Sequence, residues 1–257
     1  MAATKDLSVW RVETLRLTVF PTVAPDISGI KWWEDVVGEP PESKTLQVRA
    51  GVLQETGPVK GGLCNLSLDC RSQRIDWLFS PILNETQELA NFPTFATFPD
   101  SLGLFEETLI PWLEQCPPAS RIAFGVVLIL AVADRKTGYE LLGQYLPSVK
   151  VDPENSRDFS FQINRPRSST SGISNLQINR LSRWSVARLS GMVVQVTSGE
   201  PTARIFESSE GLDACRVELD INTAPNSDCA IPKENLAALV KELLGLGVEI
   251  ATNGDIP

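Results

Sequence analysis

Twelve consecutive apolar residues, Ile122 to Ala133, constrain this chain more than any other stretch. They are too few to cross a bilayer as a helix, which needs about 20. Their Val, Ile and Leu content favours a strand. Apolar side chains on both faces place that strand at the centre of its sheet.

The neighbouring segments supply the rest of such a sheet. Val9 to Phe20 alternates at period two, with Trp10, Val12, Thr14, Arg16, Thr18 and Phe20 on one face, and Pro21 stops it. Thr45 to Gln54, Gly62 to Cys70 and Gln73 to Ser80 read as three further strands, joined tightly at Thr56-Gly57-Pro58 and Arg71-Ser72 and therefore antiparallel. Ala214 to Asn222 is another, with Glu218 and Asp220 facing outward. Helices are expected from a Ser28 cap to Val37, from an Asp100 or Ser101 cap through Leu113 with a break at Pro111, over Thr137 to Leu146, and from Pro232 through Leu246. The adjacent Trp32 and Trp33 read as core anchors. Strands followed by helices, without a βαβ rhythm, indicate an α+β fold with mainly antiparallel sheet. At 257 residues the chain can form one compact domain or two packed halves, 1–150 and 151–257, meeting at the polar segment Ser148 to Asn155.

The chemistry is narrowed by what is missing. The sequence holds no histidine, which removes Ser-His and Cys-His nucleophiles, HExxH metal sites and the usual general base near neutral pH. Five cysteines, at 64, 70, 116, 215 and 229, form no CxxC and read as buried thiols of a reducing compartment. Neither a P-loop nor a GxGxxG pattern occurs, so no nucleotide cofactor is implied. Met1 to Asp6 lacks the apolar core of a signal peptide, and the chain is expected to be soluble and cytoplasmic, with no membrane partner.

Charge is distributed unevenly. Arg157 to Arg188 carries six arginines, no lysine and one acid, a local charge of +5 in a chain of −9. It repeats itself: Phe161-Gln-Ile-Asn-Arg165 returns as Leu176-Gln-Ile-Asn-Arg180. A Ser/Pro/Gly stretch, Pro166 to Gly172, separates the copies, so the pattern predicts a β-hairpin with its arginines clustered at one end. Arginine's planar fork pairs two-pronged with carboxylate or phosphate. Candidate binding residues are Arg165, Arg167, Arg180, Arg183, Trp184 and Arg188. Three readings stand side by side: contact with an acidic protein partner or a second copy of the chain, nucleic-acid binding with Trp184 stacking a base, and ion pairing with the chain's own acids.

Two weaker constellations remain. Pro99-Asp100 with a later Asp134-x-Lys136 resembles a magnesium-dependent nuclease pattern, but no third carboxylate accompanies it. Glu218 and Asp220, two apart on a strand, offer oxygen ligands to a hard cation or simply form a solvated face.

Asn175-Leu-Gln-Ile-Asn-Arg180-Leu-Ser-Arg183-Trp184, and Val217-Glu-Leu-Asp-Ile-Asn222 leading into the last helix, are similar to stretches of a sporadically distributed, uncharacterised family of bacterial α+β proteins. The similarity covers about a third of the chain and excludes its N-terminal half. It implies a bacterial or phage-like origin and no reaction. The sequence thus points to a non-enzymatic binding protein, such as an accessory subunit, inhibitor or immunity-type partner, with the arginine hairpin as its contact surface. A nucleic-acid-binding component is the alternative and a nuclease a distant third.

Overall fold

The computed structural model describes residues 6–82, 91–189, 194–197, 200–203, 211–225 and 230–255. In chain order the elements are β1 (Arg11–Pro21), α1 (Trp32–Val37), β2 (Ser43–Gln47), β3 (Val52–Val59), β4 (Cys64–Arg71), β5 (Arg74–Ser80), α2 (Phe98–Leu109) and β6 (Ala119–Val132). Then follow α3 (Arg135–Tyr145), β7 (Ser160–Asn164), β8 (Arg167–Ser168), β9 (Gln177–Leu189), β10 (Val194–Thr197), β11 (Glu200–Ala203), β12 (Leu212–Thr223) and α4 (Lys233–Asn253). Ten strands form one sheet in the order β2-β3-β4-β5-β1-β6-β12-β9-β7, with β8 also on β9; β10 and β11 pair separately. Every strand pairing is antiparallel, as expected of the α+β class.

The apolar strand lies at the centre: β6 is flanked by β1 and β12. Because β12 follows residue 150 and β6 precedes it, the two halves of the chain share one sheet. Ser148 to Asn155 only connects α3 to β7.

The period-two reading of β1 misses a bulge. Register shifts between Val12 and Thr14, so one extra residue changes the phase. Trp10 and Val12 therefore join Leu15, Leu17 and Val19 in the core, while Arg16 and Thr18 face the other side. The expected single strand Thr45–Gln54 is a hairpin, broken by a 3-10 turn at Val48–Ala50 with Gly51 in the left-handed region. Gly57-Pro58 lies inside β3, and the turn comes later, at Lys60 to Gly62. Gly57 is required there: a Cβ would stand 3.3 Å from the Trp33 ring.

Helices pack on one face of the sheet. Phe105 of α2 meets Phe79 and Phe124, and Trp33 of α1 stacks on Trp77 at 6.4 Å. Gly138 of α3 lets Val132 and Val186 approach, and Gly247 of α4 admits the Phe124 ring. Trp32 and Trp33 are core residues as expected. Two caps differ from expectation. Thr97, one turn earlier than predicted, caps α2, and Ser28 bonds Asp26, leaving α1 without a side-chain cap. The helical run does break at Pro111, which opens a separate 3-10 turn. None of the described helices is long and apolar enough to cross a membrane.

Candidate functional site

The hairpin forms, but not as a cationic outer surface. β7 pairs with β9 so that Phe161 faces Trp184 and Asn164 faces Leu181, and Arg165 donates its backbone N–H to the Arg180 carbonyl. On β9, Ile178, Arg180, Ser182 and Trp184 fall in phase and point under the helices. Arg165, just after β7, and Arg167, which opens β8, both reach the end of α4. There Arg165 donates two hydrogen bonds to Asp255, at 2.9 and 2.8 Å, and Arg167 donates two to Glu249, at 2.8 and 2.9 Å. Arg180, 2% exposed, reaches Glu249 at 3.4 Å.

These pairs shift both partners. Hydrogen bonds from Arg165 hold Asp255 below its ordinary value, and those from Arg167 do the same for Glu249. Burial pulls Arg180 below the usual arginine range, helped by neighbouring Arg167. The expectation of an outward contact patch is therefore corrected for Arg165, Arg167 and Arg180: the molecule's own carboxylates occupy them. Arginines inside need such partners, because an unpaired buried charge is strongly unfavourable.

Trp184 is no surface platform either. It is buried, stacks on Tyr145 at 5.4 Å and donates its indole N–H to Ser182. Arg183 is half exposed on the opposite face, 3.8 Å from Glu218, and Arg188 is exposed beside Gly211.

The nuclease constellation does not assemble. Asp134 caps α3 by accepting from the Thr137 N–H at 2.7 Å, Lys136 is ion-paired with Glu154, and Asp100 hydrogen-bonds Thr97. Among the described residues no group of three acidic or thiol side chains is arranged to hold a metal. Cys70, Cys116 and Cys215 are buried and pushed up to about 12, Cys64 to about 11, so none is a thiolate near neutral pH. Cys229 lies outside the described residues.

The opposite face of the sheet carries no helix among the described residues. Two grooves lie on it, of about 460 Å³ across β2 to β1 and about 290 Å³ across β5 to β7. They meet at Arg16 and Leu78, which line both. One row of directly opposed residues runs through them: Ser43, Thr56, Ser67, Leu78, Arg16, Gly125, Asp220 and Leu181. Gly125 leaves room that Arg16 fills, its guanidinium 3.4 to 3.7 Å from where a Cβ would stand.

Most charges on this face are matched. Arg74 pairs with Asp76, Arg71 with Asp69, and Arg216 with both Glu13 and Glu218. An asparagine ladder crosses β7, β9 and β12: Asn164 donates to Asn179, Asn179 to Asn222, and Asn222 to Asp220. Arg16 stands apart. Among the described residues it has no ion-pair partner, and its Nε is buried without a hydrogen bond. Asp220 likewise meets no cation within 4.0 Å among the described residues, and Asn222 donates to it.

Sequence reasoning named Asp220 but not Arg16. Strand alternation was the available signal, and the β1 bulge obscured it. Comparison with protein-family models, with curated proteins and with solved structures finds no match to this chain.

Proposed function

We propose that the protein is a non-enzymatic binding protein whose working surface is the bare face of its sheet, where Arg16 receives an acidic group of a protein partner. The observation that carries this reading is Arg16 itself. Its Nε, buried in the middle of an antiparallel sheet without an acceptor, is an incomplete interaction, since a desolvated donor left unpaired costs about 1–3 kcal/mol. Antiparallel sheets do present one face to water, so bareness alone would mean nothing. On this face Arg71, Arg74, Arg183 and Arg216 meet acids and Arg121 is held by Thr223 and Asn222, so the buried, unbonded Nε of Arg16 supports a partner.

The reading keeps the binding role expected from the sequence and moves it from the hairpin to the sheet. Nucleic acid is disfavoured: the chain is −9 overall, and this face offers balanced charge and no exposed aromatic platform. Catalysis lacks a base, an activated nucleophile and an assembled metal site among the described residues.

The test is site-specific photo-crosslinking in the source cell. A photoreactive residue replacing Ser67 in the groove should yield a discrete protein adduct that disappears when Arg16→Glu is added. An equal yield from the same group placed at Glu106, exposed on α2, or an adduct indifferent to Arg16→Glu, would refute the reading.

A further inference from the structure

The two grooves join at Arg16 into one channel that crosses the sheet from β2 to β7. Nine strands at about 4.8 Å spacing make it roughly 38 Å long, enough for about eleven residues of extended chain at about 3.3 Å each. No aromatic ring lines it: hydroxyls and carboxamides (Ser43, Thr56, Ser67, Gln162) alternate with the paired Arg74–Asp76 and Arg183–Glu218 and with apolar Leu78 and Leu181. Such groups can donate to and accept from a peptide backbone. A long, open trough of mixed polar and apolar lining is unlike the enclosed apolar cavities that bind small molecules.

The charges give the trough a direction. Arg16 leans over Gly125 on β6, which places its guanidinium about one strand spacing, ~5 Å, from Asp220 on β12. No ion pair joins the two, and among the described residues neither has another ion-pair partner, Asp220 being held by Asn222, so a cation and an anion without salt bridges stand near each other in one row. Same-side residues of an extended chain, two apart, are about 6.6 Å from each other. We infer that the channel takes an extended segment of the partner protein bearing an acidic and a basic side chain two residues apart, the acid on Arg16 and the base on Asp220. This rests on the bare face being the working surface and adds the partner's chemistry.

Fluorescently labelled, end-blocked Ser-Thr-Glu-Ser-Lys-Thr-Ser is the probe, with two counterparts carrying glutamine in place of the acid or of the base. Anisotropy titrations use the full chain at low salt. The parent peptide should bind wild type at least about tenfold more tightly than either counterpart. Arg16→Gln should abolish the advantage of the acid, and Asp220→Asn that of the base, with melting temperatures confirming that both variants fold. Comparing peptides on wild type keeps the result independent of any variant's folding. Equal binding of the parent and the base-free peptide would overturn the inference while leaving an acid-binding Arg16, and so the proposed function, intact. Absence of saturable binding at millimolar parent peptide would overturn it too. The bare-face reading itself fails if the cellular adduct ignores Arg16→Glu or forms equally from position 106.

Discussion

Replacing Glu249 with glutamine removes the one carboxylate shared by Arg167 and Arg180. The two arms contribute unequally. Arg167 is 39% exposed, and a pair so open to water is worth under about 1 kcal/mol. Arg180 is 2% exposed, and taking the anion from a buried guanidinium costs about 1.5–3 kcal/mol beyond that, tempered because Glu249 itself is 27% exposed. The sum is about 2–4 kcal/mol, or a fall in Tm of roughly 5–12 °C for a chain of this size. Thermal unfolding followed by circular dichroism measures it, with Lys136→Ala as reference, since that pair is 52% and 66% exposed and should move Tm by no more than about 1 °C. Converting Arg180 and Glu249 together to Met and Leu should recover most of the loss, because a buried pair can be replaced by apolar groups of similar volume. A Glu249→Gln protein as stable as Lys136→Ala would refute the assignment of Arg180 to an internal ion pair with Glu249.

Glu249 and Asp255 titrate below their ordinary values of 4.5 and 3.8, so the stability they confer is present above those values and is lost as pH falls through the lower folded ones. Wild-type Tm should therefore drop on acidification below about pH 4 more steeply than that of Asp255→Asn; parallel curves would contradict the pairing. Gly254→Ala places a Cβ 1.9 Å from the Tyr145 carbonyl oxygen at a φ of +82°, and should cost about 2–4 kcal/mol by denaturant titration. Gly143→Ala, with nothing within 4 Å in α3, should instead stabilise by about 0.5–1 kcal/mol. With dithionitrobenzoate at neutral pH, Cys64, Cys70, Cys116 and Cys215 should stay unreactive in the native protein and label on unfolding; rapid native labelling of any of them would contradict their burial.

What the sequence revealed follows from which signals are local. The apolar run on β6, the alternation of β12 and the leucine spacing of α4 are each encoded within one element, so class and central strand were legible. The β1 bulge was not, because one extra residue leaves the letter pattern regular while moving Arg16 to the other face. The arginine hairpin shows the same limit from the other side. Period two already sets Arg180 in phase with Ile178 and Trp184, but that the phase points toward α4 depends on Glu249 and Asp255, some seventy residues or more away. Charge excess alone cannot tell a contact surface from an internal network; the pairing partners decide it. Likewise Gly57-Pro58 looks like a turn until Trp33, brought by α1, is seen to need that glycine in a strand.

The central claim is that Arg16 works outward and Arg167 inward, and one paired measurement tests it. Arg16→Glu and Arg167→Glu are compared for both Tm and yield of the Ser67 cross-linked adduct. Arg16→Glu should abolish the adduct with Tm held within about 2 °C, while Arg167→Glu should lower Tm by several degrees and leave the adduct of the folded fraction intact. The reverse pattern, with adduct lost at Arg167 and stability lost at Arg16, would contradict the account.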